Sequence, residues 1–208
     1  MVEYLEERDT VRPDKWAGED HPMRIVTREV AFDPTSWDEE RRRHVTSVFD
    51  GLAEEWHSRH LEQRILPLRD AIERGDVQPG LCLEIGCGTG PATALLAETF
   101  ACNVAIDISA EMLQRAEAAS AGRVLADGAC LPFADGQADT IVLMNMLLFP
   151  AEVDRLLRPG GTLIWVNSRG AGTPIHLSPE DLVEALPGRW EARAALVGPG
   201  LWAVARRA

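Results

Sequence analysis

Leu83-Glu84-Ile85-Gly86-Cys87-Gly88-Thr89-Gly90 decides how the chain folds, because an apolar strand-like run ends in three alternate glycines and a helical stretch opens at Pro91. Glycine lets the backbone turn sharply and pass close to a ligand with no Cβ in the way. A helix starting directly after such a turn presents unbonded amides to a ligand. Strand, glycine turn and helix in that order predict a parallel α/β unit with a nucleotide-like ligand at the strand's carboxyl end.

The pattern repeats downstream. Leu81–Ile85, Asn103–Ile108, Arg123–Ala126, Thr140–Asn145 and Thr162–Asn167 read as strands, and Pro91–Thr99, Ala110–Ala119 and Ala151–Leu157 as the helices between them. Alternation of this kind predicts a parallel sheet covered on both faces. After a helix capped by Ser178 with Pro179 at its first position, Trp190–Val197 and Leu201–Arg206 flank Gly198-Pro199-Gly200 as a closing antiparallel hairpin. The expected fold is thus α/β, a doubly wound, mostly parallel seven-stranded sheet ending in a hairpin. Upstream, Ser36-Trp37-Asp38-Glu39 fits a capping box, and helical character runs from there to about Arg74, with interruptions at Gly51 and Pro67. Residues 1–35 are polar and broken by Pro13, Pro22 and Pro34, and an apolar alternation over Met23–Phe32 suggests a short strand. The predicted organisation is a variable extension over 1–35 and one domain over 36–208, the latter divided into a helical cap (36–75) and a sheet core (81–208).

Composition narrows the partners. The 208 residues carry a net charge of −12, with 33 acidic against 21 basic side chains. Residues 1–80 hold 19 acids against 12 Lys or Arg, and 81–208 hold 14 against 9, so neither part hides a basic module. Nucleic acid is disfavoured as a partner. The one basic run, Arg41-Arg42-Arg43, reads as a solvated helix face. The four cysteines, Cys82, Cys87, Cys102 and Cys130, have neither CxxC pairing nor His at zinc spacing and read as reduced thiols, with no metal expected. No apolar run reaches the ~18 residues of a membrane span, and the start is acidic from Glu3 onward, so a cytoplasmic protein without a membrane partner is expected.

The identity of the ligand turns on a few positions. A dinucleotide fingerprint needs a third glycine where Pro91 stands, so the match to a nicotinamide cofactor is defective. Asp107 ends the next strand, 21 residues beyond Gly86, where an acid accepts hydrogen bonds from both hydroxyls of an adenosine ribose. Glu84 beside the glycine loop suits a cation better than a pyrophosphate.

Leu83–Asn167 resembles the class I S-adenosylmethionine-dependent methyltransferases, in the broad group that includes the ubiquinone and menaquinone biosynthesis enzymes. LEIGCGTG matches the first motif of that family, and AIDIS (105–109) followed by Glu111-Met112-Leu113 matches the second. ADGACLPFADGQADTIV (126–142) matches the third, and LRPGG (157–161) the turn into the fifth strand; together they span about 40% of the chain. The resemblance implies that S-adenosylmethionine lies along Glu84, Gly86, Cys87, Gly88 and Gly90, with Gly86 and Gly88 lining its methionine part and Asp107 its ribose. Ile108 and Met112 would flank the adenine, Asp127 with the backbone of Gly128 and Ala129 would meet its amino group, and Asn145 with Met146 would border the sulfonium. Val48–Arg59, VFDGLAEEWHSR, resembles the helix that covers the cofactor in this family, with Trp56 over the sulfonium.

The activity so implied is methyl transfer to a small-molecule acceptor by in-line displacement. His57 and His60 are candidate bases, and His176 is a third. Relatives usually carry a longer acceptor-binding segment after the fourth strand, where this chain has Met146-Leu147-Leu148-Phe149. A small, partly apolar acceptor enclosed by the N-terminal helix, Ser168–Gly172 and Met146–Phe149 is therefore expected. Two alternatives remain at this stage, an S-adenosylmethionine-binding protein without catalysis and a nicotinamide-dependent oxidoreductase. A basic protein acceptor, the atom methylated and the oligomeric state also stay open.

Overall fold

The computed structural model describes residues 1–10, 20–56, 62–116 and 122–208. Its framework is an eight-stranded sheet: β1 (Val2–Tyr4), β2 (Leu81–Ile85), β3 (Cys102–Asp107), β4 (Gly122–Leu125), β5 (Ala138–Met144), β6 (Leu157–Asn167), β7 (Trp190–Val197) and β8 (Gly200–Arg207). Across the sheet the order is β1-β7-β8-β6-β5-β2-β3-β4. All neighbours run parallel except β8, which is antiparallel to both β6 and β7. From β2 the chain first builds outward through β3 and β4, then returns to place β5 on the other side of β2. The carboxyl ends of β2 and β5 thus flank the topological switch point, where ligands of open α/β sheets bind.

The central strands β2, β5 and β6 are near-continuous apolar runs because both faces of the sheet are covered there. Leu83, Ile85, Ile141, Leu143, Leu163 and Trp165 pack on one face, and Cys82, Val142, Ile164, Val166, Trp202 and Val204 on the other. Helices α4 (Thr93–Thr99), α5 (Ala110–Arg115), α6 (Pro150–Leu156) and α7 (Pro179–Ala185) follow the strands as the alternation predicts. The Ser178 side chain accepts the amide of Asp181 and caps α7. The doubly wound core and the closing hairpin thus stand as expected, with β1 as an additional, eighth strand at the edge.

The N-terminal third differs locally from the sequence expectation. Met23–Phe32 is a helix, α1 (Pro22–Phe32), and not a strand. Met23, Val26, Thr27, Val30 and Ala31 recur at i, i+3, i+4, i+7 and i+8, the stripe of an amphipathic helix, and Thr27, Val30 and Ala31 are buried. Helix α2 (Glu39–Trp56) runs unbroken through Gly51. Its cap is Asp38, whose Oδ1 accepts the Arg41 amide at 2.8 Å, while Ser36 lies in a preceding 3-10 turn. Helix α3 (Leu66–Arg74) packs on β6, β7 and β8. Among the described residues, no helix is long and apolar enough to cross a membrane.

Asp70 on α3 is the polar keystone of the second face. Its buried carboxylate accepts the Trp202 indole N–H at 2.7 Å and pairs with Arg74 and Arg8. Removing one partner of a buried pair leaves the others unsatisfied, at a cost of about 3–5 kcal/mol. Asp70→Ala is expected to lower unfolding free energy by about that amount in a urea titration, whereas trimming the exposed Glu73 should change it by less than about 1 kcal/mol.

Candidate functional site

The glycine turn after β2 is held by the neighbouring strand. The amides of Gly86 and Cys87 both donate to the carbonyl of Ile106, at 2.8 and 3.0 Å. Gly86, Gly88 and Gly90 all have positive φ (76°, 57° and 85°), a conformation that side chains rarely adopt. Space is also short: a Cβ on Gly86 would stand 2.5 Å from Met146 Sδ, and one on Gly88 would stand 3.1 Å from Trp56 Nε1. Met146 and Trp56 therefore approach the loop from the segment after β5 and from the end of α2. Gly128 closes against the same Met146 and against Phe149, each about 3 Å from its ideal Cβ position.

Asp107 sits at the carboxyl end of β3, 8% exposed. One carboxylate oxygen accepts the Gly88 amide at 2.7 Å and the other accepts the Ser109 amide at 2.9 Å. Burial pushes its pKa up, against those backbone hydrogen bonds. Next to it, a cavity of about 440 Å³ opens between α2 and Ile108, Leu125, Ala126 and Asp127. The α2 wall comprises Arg42, Arg43, Thr46, Ser47 and Asp50. Arg42, Thr46 and Asp50 lie four apart on one helix face, and Asp50 accepts the hydroxyl proton of Ser109. Arg42 and Arg43 are exposed, in keeping with the solvated face read from the sequence, but that reading missed the wall they form with Thr46 and Asp50; the i, i+4, i+8 polar spacing was the signal. Met112 is buried at 1% and is not among the residues lining the cavity, while Cys87 is buried with its thiol pKa pushed up by desolvation.

Glu84 lies beneath the loop, 3% exposed, and accepts hydrogen bonds from Thr93 Oγ1 at 2.8 Å and Asn103 Nδ2 at 3.4 Å. Burial pushes its pKa up to about 7, with the two hydrogen bonds working against the shift. Asn145 takes a left-handed conformation (φ 53°) just after β5. Its side chain is committed to Ser168, accepting the amide and donating to the hydroxyl, both at 2.9 Å. Beyond it, Leu147, Phe149, Val30 and Ile175 form an apolar cluster that also takes in Met23, Val26, Trp37, Phe49, Ala129 and Met146. Helix α1 thereby covers the end of the sheet beside the glycine loop.

Among the histidines, His57 and His60 lie outside the described residues. His176 is placed at the end of β6, its Nδ1 2.7 Å from Asn167 Oδ1. The Trp165 indole N–H also donates to that oxygen, and the Asn167 amide nitrogen donates to the carbonyl of Ile175, which fixes the amide orientation. Nδ1 of His176 must then be the donor, leaving Nε2 as the acceptor. Burial, reinforced by the Arg24 charge, depresses its pKa to about 4, so the ring is neutral at neutral pH. No cluster of metal-ligating side chains occurs among the described residues.

A family described as "Methyltransferase domain" matches residues 83–165. A demethylmenaquinone methyltransferase of Corynebacterium efficiens is 33% identical over 160 residues, 69% of this chain and 68% of that protein. A trans-aconitate 2-methyltransferase of Streptomyces avermitilis is 33% identical over 158 residues, covering 66% of this chain and 57% of that one. Several of the curated relatives are matched over only 53% to 60% of their own length. The solved DhpI-SAH complex shares the fold, with a TM-score of 0.62 at 19% identity, over 78% of this chain and 94% of that chain.

Glu84 gives the site a pH signature. Its folded pKa lies above the unfolded value of 4.5, so its contribution is fully present below about pH 4.5 and is lost as pH rises through about 7. Glu84→Gln should therefore gain stability relative to the parent by about 2–4 kcal/mol between pH 4.5 and 8. Urea unfolding at the two pH values checks this, and a pH-independent difference between the two proteins would contradict it.

Proposed function

The chain belongs to the class I S-adenosylmethionine-dependent methyltransferases, and from that premise we propose that it transfers a methyl group from S-adenosylmethionine to a small-molecule acceptor by in-line displacement. The observation that carries the proposal is Asp107. Its buried carboxylate is fixed by two backbone amides and takes part in no ion pair among the described residues, beside a cavity whose wall contains Ile108 and Asp127. An acid held in this way keeps lone pairs for the hydroxyls of a ribose. The positive φ of Gly86, Gly88 and Gly90 supports the same reading, since a tight glycine turn at the carboxyl end of β2 holds backbone amides at the switch point of the sheet.

When bound, S-adenosylmethionine supplies a methyl group on a sulfonium, which is already a good leaving group. The protein's part is binding, orientation and exclusion of water. Asp107 would hold the ribose, Ile108 and Met112 would flank the adenine, and Asp127 with the backbone of Gly128 and Ala129 would read its edge. Glu84, Gly86, Cys87, Gly88 and Gly90 would line the methionine part, with Asn145, Met146 and Trp56 toward the sulfonium. Holding donor and acceptor in line lowers the barrier by ~7–11 kcal/mol relative to a bimolecular encounter.

The relatives named above act on acceptors as different as a demethylmenaquinone and trans-aconitate, so the acceptor is argued from this chain alone. The cluster of Val30, Leu147, Phe149 and Ile175 next to Met146 supports a small, partly apolar acceptor approaching from under α1.

Calorimetric titration with S-adenosylhomocysteine and, separately, with NAD tests the cofactor assignment. Micromolar binding of the former alone is expected, weakened on the order of 10–100-fold in Asp107→Ala, the loss of hydrogen bonds to a charged group. Binding of NAD, or of neither ligand, would overturn the assignment.

A further inference from the structure

Trp37 follows the 3-10 turn Pro34–Ser36 that leads from α1 to α2. Its indole N–H is shared between both carboxylate oxygens of Asp127, at 3.1 Å each. The same carboxylate accepts the Ala129 amide at Oδ1, 2.9 Å away. From behind, the indole is braced edge-on by Phe149, ring centroids 5.3 Å apart at 69°, within the apolar cluster of Val30, Leu147 and Ile175. Asp127 lines the cavity next to Ile108 and Ala126, and Trp37 does not. The indole thus reaches the carboxylate from the apolar cluster and leaves the cavity side clear.

An ionised carboxylate offers about four lone-pair positions and no donor. The indole N–H engages one on each oxygen and the Ala129 amide takes the second on Oδ1, which leaves one position on Oδ2. Asp127 takes part in no ion pair among the described residues. The remaining position is therefore open to a neutral N–H from a ligand and hostile to another oxygen. We propose that Trp37 is a positioning residue that makes this site selective for a 6-amino purine over a 6-oxo purine, by locking the Asp127 carboxylate with its last lone pair toward the cavity.

The inference rests on the reading of Asp127 as the residue that meets the adenine edge. Given that reading, a 6-amino group donates to the carboxylate and a 6-oxo group opposes it with its own lone pair. Sites built to bond a polar group reject analogues lacking the matching donor far more strongly than apolar pockets reject a change of size. Without the indole N–H the carboxylate is held only through Oδ1, by the Ala129 amide, so Oδ2 loses its fixed direction and can turn to water, and selectivity falls although Asp127 is still present.

The test compares affinities of the whole chain for S-adenosylhomocysteine and for S-inosylhomocysteine, which carries 6-oxo and the accompanying N1–H in place of the 6-amino group and the N1 lone pair. Wild type, Trp37→Phe, Trp37→His and Asp127→Asn are measured in parallel. Wild type should prefer the adenosyl compound by roughly tenfold or more. Trp37→Phe, which keeps an aromatic ring without the N–H, should lose most of that preference through weaker adenosyl binding while inosyl binding holds. Trp37→His, whose ring can donate an N–H, should recover part of it, and Asp127→Asn should abolish it. Retained preference in Trp37→Phe would overturn the role of Trp37 and leave Asp127 as the reader. Tighter adenosyl binding in Trp37→Phe would show that the indole competes with adenine, and would also overturn it. Equal weakening of both ligands without recovery in Trp37→His would mark a packing role only. No preference in wild type would overturn the reading of Asp127 itself.

Discussion

The hydrogen bond from the Gly88 amide to the Asp107 carboxylate, 2.7 Å long, is the constraint on which the site depends. It joins the turn after β2 to the end of β3, so the position of the glycine loop and the aim of the carboxylate are set by one contact. The Ile106 carbonyl, accepting from Gly86 and Cys87, ties the same turn one residue back. A turn held in this way needs residues at positive φ with no Cβ, which Gly86 and Gly88 supply. The rest of the site is layered on that joint: Met146 from the segment after β5, Trp56 and Asp50 from α2, and Ser109 at the start of α5, which bonds both Asp107 and Asp50.

The N-terminal segment completes what the sheet begins. Helix α1 lays Val30 over Leu147, Phe149 and Ile175, and Arg24 on the same helix bonds the carbonyl oxygens of Ala171 and Thr173, so the helix is pinned to the loop after β6. Trp37 then spans two environments with one side chain: its ring packs against Phe149 and its N–H reaches Asp127. The short run after β5, which leaves no room for an extended acceptor-binding segment, is thereby roofed by residues from the start of the chain. Edge strand β1, paired in parallel with β7, anchors the same segment at the far side of the sheet.

The core was legible in the sequence because its signals are local and repeated. LEIGCGTG, the strand ending in Asp107 and the hairpin around Gly198-Pro199-Gly200 each carry strand, turn and helix chemistry within a few residues, and the order of units leaves few topologies. The N-terminal third was harder to read for physical reasons. In α1 the stripe Met23, Val26, Thr27, Val30, Ala31 is interleaved with Ile25 and Phe32, which are exposed, so a period of 3.6 resembles one of 2. At the head of α2, Ser36 and Asp38 are both cap residues, and only the geometry selects Asp38. The three residues of β1 are too short to show any period. Asp50 and Arg42 join the site only through packing of α2 against α5, and Trp37 only because the connection from α1 to α2 reaches Asp127, which no local pattern encodes.

The acids of this chain divide by their partners. Away from the cavity the buried or half-buried carboxylates face arginine: Asp70 meets Arg74 and Arg8, Asp139 meets Arg158, Glu152 meets Arg155 and Asp181 meets Arg28. Asp139, Glu152 and Asp181 have their pKa values held down, hydrogen bonds and arginine charge outweighing burial. Glu84, Asp107 and Asp127 are held by hydroxyl, amide and indole donors, all of them neutral. Burial without a counter-charge among the described residues raises the pKa of Glu84 and Asp107, so at neutral pH these two acids cost the fold stability. Buried acids with raised pKa values cluster at functional sites, where a ligand can supply the counter-charge. Such a set of acceptors matches a ligand that brings hydroxyl, amino and cationic groups, the class to which the cofactor of this family belongs.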